Sequence, residues 1–106
     1  MKRIVPRVAA ERDIDEAADY YAEEAGEDIG QAFVAAVAEA YRAIGDHPGT
    51  GSPRYAHDLK IAGLRARKLG RFPFLAFYIE REDHIDVWRI LHARRDISAF
   101  LAEEDE

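Results

Sequence analysis

The chain has 106 residues, 48% of them hydrophobic and 34% charged, with a formal net charge of -6 and no cysteine. That length fits one domain, residues 1–106, with a modest core, and the missing thiols exclude disulfides, cysteine nucleophiles and thiolate metal sites. No stretch approaches the roughly 20 apolar residues of a membrane span, and no apolar run follows the basic Met1–Arg7 as in a secretory signal, so a cytoplasmic protein without membrane contact is expected.

Residues Lys2–Val8 read as a first strand, with Pro6 restricting it to a sheet edge or a strand end. Residues 9–25 read as a helix, because Ile14, Ala17, Ala18, Tyr21 and Ala25 recur at helical spacing. Gly26 is its stop signal. A second helix is expected over 29–45, started by Asp28 with Gln31 as a capping box. Its apolar stripe is Phe33, Val37, Ala40, Tyr41 and Ile44, and Gly45 and Pro48 end it. The short break between the two helices predicts an antiparallel hairpin. His47–Arg54 is rich in turn formers and is expected to run on irregularly to Gly63. A connection of that length is often functional or mobile.

Leu64–Leu69 carries several charges, so one face of this strand should be exposed. Phe74–Ile79 is continuously apolar and predicts a central strand covered on both faces. After a turn at Arg81–His84, Ile85–Leu91 alternates. Trp88 and Ile90 are expected on one side, Val87 and Leu91 on the other. Asp96 can cap a short last helix through Ile97, Phe100 and Leu101. The order βααβββα predicts an α+β domain in which a helical hairpin packs on a small antiparallel sheet, with a short C-terminal helix.

Charge is distributed unevenly. Residues 1–50 set five basic groups against eleven acids, whereas 54–71 set Arg54, Lys60, Arg65, Arg67, Lys68 and Arg71 against Asp58 alone. A net acidic chain is repelled from polynucleotides at long range, so no direct nucleic-acid binding is expected of the chain by itself. The basic stretch suits an acidic protein surface or a phosphate. His47, His57 and His84 lack ligand spacing, so no metal site is expected. Gly49 and Gly51 lack the following Gly-Lys-Ser/Thr of a phosphate loop, and no cofactor is implied.

Several pieces recur together in one order. They are Asp13-Ile14 and Tyr20-Tyr21-Ala22, Phe33, the Pro48–Arg54 loop, Leu64-Arg65, Phe72–Tyr78, and Val87–Leu91 running into His92-Ala93-Arg94-Arg95-Asp96. This arrangement resembles the ParE branch of the RelE/ParE toxin superfamily over nearly the whole chain. The resemblance implies the toxin of a type II toxin–antitoxin system. It would be held in a hetero-oligomer by a cognate ParD-like antitoxin, a small ribbon-helix-helix protein whose disordered tail folds on the toxin. The ParE branch implies DNA gyrase as target, inhibited without catalysis. The RelE branch implies ribosome-dependent cleavage of mRNA.

Cleaving RNA by 2′-hydroxyl attack needs a base, a cation for the phosphate charge and an acid for the leaving oxygen. Arg65 and Arg67 match the second-strand basic pair of the RelE plan, and His92 and Arg94 remain at the C-terminal end. The third-strand arginine is replaced by Phe74 or Leu75, and the C-terminal tyrosine position falls on Phe100. Guanidinium groups stay protonated and make poor bases. The resemblance therefore implies no catalytic residue, with Arg65, Arg67, Lys68, His92, Arg94 and Arg95 as target contacts. The antitoxin helix is expected along the hairpin at Ile14, Tyr21, Phe33, Val37 and Tyr41, with an extended part added to a sheet edge. The alternative is an endoribonuclease with Arg65, Arg67, His92 and Arg94 in its site.

Overall fold

The structure, a computed structural model, describes Met1–Asp105. In chain order it contains β1 (Arg3–Pro6), α1 (Val8–Ala25), α2 (Glu27–Asp46), a 3-10 turn (Pro48–Thr50), α3 (Arg54–Leu59), β2 (Leu64–Lys68), β3 (Phe74–Glu80), β4 (His84–His92) and α4 (Ile97–Glu104). Apart from the short α3, this is the expected βααβββα order of an α+β domain. The strands form one sheet, β1-β4-β3-β2. The last three strands pair antiparallel, and β1 joins β4 in parallel, so the sheet is mixed. β1 takes the edge, where Pro6, its last residue, is tolerated.

One residue, Gly26, links α1 to α2. Its φ of 105° is strained for any side chain, so glycine is required there. The tight link moves the start of α2 forward to Glu27 and makes Gly26, not Asp28, the capping residue. The expected Asp28–Gln31 capping box does not form. Instead the Gly26 carbonyl accepts the N–H groups of Ile29 and Gly30 at 3.0 and 3.2 Å. Asp28 still sits in the first turn, where the helix dipole favours an acid.

The sheet carries a core on each face. On the hairpin side, Phe33, Val37, Ala40 and Ile44 of α2 pack on Ala76 and Tyr78 of β3 and on Ile85, Val87 and Ile90 of β4. Phe33 anchors an aromatic cluster, with ring centroids 5.2 Å from Phe72 and 5.1 Å from Phe74. Its complete burial contributes about 1.5–3 kcal/mol. On the other face, α3 and α4 cover Leu64, Phe77, Ile79, Trp88 and Leu91, using Tyr55, Leu59, Ile97 and Leu101. β3 is thus buried on both faces, as its apolar run implies.

Two expectations are corrected here. Val87 shares the hairpin-side core with Ile90, and Trp88 shares the opposite core with Leu91. The cause is a β-bulge. Phe77 pairs with Arg89 but Tyr78 pairs with Val87, so Trp88 is an extra residue and strict alternation breaks. The connection to Gly63 is also not wholly irregular. Tyr55, Ala56 and Leu59 seat α3 on the second core, and Lys60 closes it in the left-handed conformation, φ 56°.

Candidate functional site

Beyond Pro6 the chain leaves the sheet for α1, after a last bond from the Arg7 N–H to the Val87 carbonyl at 2.9 Å. From there the outer edge of β4 has no strand partner among the described residues. Asp13 of α1 takes the strand's place. Its Oδ2 accepts the Ile90 N–H at 2.9 Å, and its two oxygens accept Nε and Nη2 of Arg89, each at 2.8 Å. Both side chains are 11% exposed. The hydrogen bonds to Asp13 are the main reason the Arg89 pKa is raised, so this guanidinium stays charged.

A second hub lies nearer β1. Asp86 accepts Nε and Nη2 of Arg7, both at 3.0 Å, Nη2 of Arg81 at 2.8 Å and the Trp88 indole N–H at 3.1 Å. Burial pushes the Asp86 pKa upward and is the largest single influence. The hydrogen bonds from Arg7, Arg81 and Trp88, with the charge of Arg7, act the other way and leave the carboxyl below its ordinary range. Arg7 also stacks over Trp88, 4.3 Å from the ring centroid, and donates from Nη1 to the Glu104 carbonyl at 2.7 Å. One arginine thereby fastens the end of α4 to the sheet.

The turn after β4 is closely hydrogen-bonded. The Ala93 N–H bonds the Pro73 carbonyl at 2.9 Å, and the Arg94 N–H donates to Nδ1 of His92 at 3.0 Å. That bond leaves the ring proton on Nε2. The His92 ring meets Phe74 edge-on, 5.2 Å between centroids. Asp96 caps α4 as its position implies, accepting the Ala99 N–H at 3.2 Å. Between α1, the end of β4 and α4 lies an open cleft of about 820 Å³, into which Arg89, His92, Arg95, Tyr20, Tyr21 and Phe100 project.

The six expected target contacts fall into two groups. His92 and Arg95 border the cleft, and Arg94 is exposed in the turn between them. Arg65, Arg67 and Lys68 lie on edge strand β2, separated from β4 by the whole of β3. Adjacent strands are about 4.8 Å apart, so the two groups stand about 10 Å apart across the sheet. Arg65 is committed locally, donating to the Gly51 carbonyl at 2.7 Å. Arg67 reaches the Thr50 hydroxyl at 3.3 Å, and Lys68 the Gly70 carbonyl at 2.7 Å.

The Arg65 and Arg67 bonds tie the Pro48–Arg54 segment to the sheet. The buried Tyr78 hydroxyl donates to the Pro48 carbonyl at 2.7 Å and accepts the Gly51 N–H at 3.1 Å. A Cβ at Gly51 would overlap that hydroxyl, so the close approach needs glycine. Ser52 then pairs with Ala66, which closes the outer edge of β2 at that point.

The expected antitoxin contacts also divide. Phe33 and Val37 are buried in the hairpin-side core and present no outward surface, a correction to their place among the surface contacts. An amphipathic stripe serves the sheet first. Ile14, Tyr21 and Tyr41 are partly buried against that core. The large apolar groups that the hairpin does expose are Val8, Tyr20 and Val34. Tyr41 has a buried hydroxyl without a hydrogen-bond partner among the described residues. Burial, with Glu11 and Asp13 nearby, pushes its pKa up to about 12.

Sequence reasoning missed Asp13, Arg89, Arg7 and Asp86 as site residues. Arg89 had a legible signal, since a charge inside a buried strand requires a partner. That the partner is Asp13, 76 positions away, is a tertiary fact.

A family model described as "ParE toxin of type II toxin-antitoxin system, parDE" matches residues 4–97. The chain belongs to this family. The match runs from β1 through the first residue of α4 and takes in both walls and the floor of the hairpin-side core. A solved structure described as "Chromosomal ParDE TA system from P. aeruginosa" shares the fold, with a TM-score of 0.72 and 23% identity, over 87% of this chain and 96% of that one. No curated protein sequence matches. In this ParE toxin, no helix among the described residues is long and apolar enough to cross a membrane. No three His, Cys, Asp or Glu among them are grouped to hold a metal.

Proposed function

We propose that this ParE toxin inhibits DNA gyrase by binding it and is neutralised by a cognate ParD-like antitoxin. The observation that carries the binding mechanism is the commitment of its basic groups. Arg89 is held by Asp13 and stays charged, Arg65 holds the Gly51 carbonyl, and Nδ1 of His92 already accepts the Arg94 N–H. At the position where RelE-like cleavage needs a proton donor stands Phe100, and β3 carries no arginine. What remains is a surface of exposed cations beside aromatic rings, which suits contact with an acidic protein face.

The antitoxin side follows from what the fold leaves open. β2 is bridged by Ser52 at Ala66 and β4 is capped by Asp13, so strand addition is left mainly the short outer edge of β1, Arg3–Pro6. The hairpin exposes Val34 and Tyr20 beside the partly buried Ile14, Tyr21 and Tyr41. An antitoxin helix lying there would cover these apolar groups.

Expression of the chain in its host tests the proposal. Growth should slow and a DNA-damage reporter should rise while mRNA stays uncut, and co-expressed antitoxin should restore growth. Rapid codon-positioned mRNA cleavage on induction would transfer the chain to the endoribonuclease mechanism.

A further inference from the structure

The cleft between α1, the end of β4 and α4 holds donors that the fold itself leaves unspent. Arg89 gives Nε and Nη2 to Asp13, and its Nη1 makes no hydrogen bond among the described residues. His92 turns Nδ1 toward the Arg94 N–H, leaving the Nε2 proton free. The guanidinium groups of Arg89 and Arg95 lie 5.0 and 5.4 Å from the centroid of the same Phe100 ring. Asp13 already offsets the Arg89 charge, whereas Arg95 makes no ion pair among the described residues, so an incoming anion gains a charged hydrogen bond chiefly from Arg95, with the spare Arg89 Nη1 beside it.

The acids of the cleft are partly spent. Asp13 is used by Arg89 and the Ile90 N–H, and Glu104 by Arg7. Glu16 and Glu103 make no ion pair among the described residues, and they line the cleft together with Arg12 and Arg95. The remaining wall is aromatic. Tyr20 is 61% exposed and meets Tyr21 edge-on, centroids 5.7 Å apart, with Phe74 beneath Tyr21. A free inorganic anion would leave this apolar wall unused.

We propose that the cleft binds a segment of the target protein in which a carboxylate stands next to an aromatic or large aliphatic side chain. The carboxylate sits between Arg89, Arg95 and the Nε2 proton of His92. The apolar group packs against Tyr20, Tyr21 and Phe74. Glu103 on α4 is a resident competitor for the same cations. The proposal rests on target binding by this end of the molecule, but its chemistry is testable without gyrase.

The probe is N-acetyl-phenylalanine, compared with its neutral amide and with inorganic phosphate. Titrations of the full chain are followed by NMR of the arginine Nε–H, His92 ring and tyrosine ring signals. The acid should shift Arg89, Arg95, His92 and Tyr20 signals together, and the amide should not. Arg95→Gln, an exposed change that leaves the fold intact, should weaken binding about tenfold through loss of one charged hydrogen bond. Glu103→Gln should tighten it. Equal shifts from acid and amide, or an unchanged affinity in Arg95→Gln, would overturn the proposal. So would phosphate competing as well as the acid, because that marks a free-anion site. If the acid binds as described but the toxin leaves gyrase untouched, the gyrase assignment fails and the cleft chemistry stands. If gyrase is inhibited and the acid does not bind, the cleft proposal alone fails.

Discussion

Replacing Asp13 by alanine should be among the most damaging single changes at this surface. The carboxylate accepts two charged hydrogen bonds from Arg89 and one from the Ile90 N–H, and both side chains of the pair are 11% exposed. Removing one partner of a mostly buried pair leaves the other charge uncompensated, at a cost of about 3–5 kcal/mol. The whole domain is worth only about 5–15 kcal/mol. At roughly 4–8 °C per kcal/mol for a chain of this size, Tm should fall by at least about 12 °C. Asp13→Asn keeps one oxygen for either Arg89 or Ile90 and should cost clearly less. Arg89→Met removes the cation itself, so adding it to Asp13→Ala should recover part of the loss, a coupling that a double-mutant cycle isolates. Urea and thermal melts followed by circular dichroism give all four values. If Asp13→Ala melted within about 2 °C of the wild type, the account of Asp13 as the substitute partner of β4 would be wrong.

The Asp86 hub gives a pH signature. Its carboxyl is held below the ordinary range when folded, so its contribution to stability is complete above the ordinary carboxylate pKa, about 3.9. It is lost as pH falls through the lower folded value, because the unfolded chain then binds the proton more readily. The stability gap between wild type and Asp86→Asn should therefore narrow below about pH 4, and a gap that stayed constant there would contradict the pairing. Tyr78→Phe removes two of the bonds that seat the Pro48–Arg54 segment and should cost about 1–3 kcal/mol. Hydrogen exchange at the Gly51 amide should quicken in that variant, and unchanged protection would count against the tether. Tyr41→Phe deletes a buried hydroxyl with no partner among the described residues, so stability should hold or rise. A loss above about 1 kcal/mol would show that the hydroxyl has a partner in solution.

The sequence carried the layers of the fold well. The spacing of Phe33, Val37, Ala40 and Ile44 marks a helix face, and the apolar run Phe74–Ile79 marks a strand buried on both sides. Alternation failed at Trp88 because a bulge has no reliable pattern of its own and a period-two count assumes it absent. Helix α3 was missed because six residues leave too few apolar positions to show a period. At the candidate site, composition located the cations but not their partners. Nothing local says that Arg65 is used by the Gly51 carbonyl, or that Phe33 and Val37 serve the sheet and not a partner protein. Asp96 as the cap of α4 was legible because capping is a short-range event.

Gyrase inhibition by this toxin is proposed to need binding alone. A supercoiling assay with purified toxin, gyrase and relaxed plasmid tests it most directly, run beside a translation extract probed for mRNA ends. Supercoiling should be inhibited or cleaved DNA trapped, equimolar antitoxin should reverse this, and mRNA should remain whole. Full supercoiling activity at saturating toxin, together with mRNA cut on the ribosome, would contradict the account.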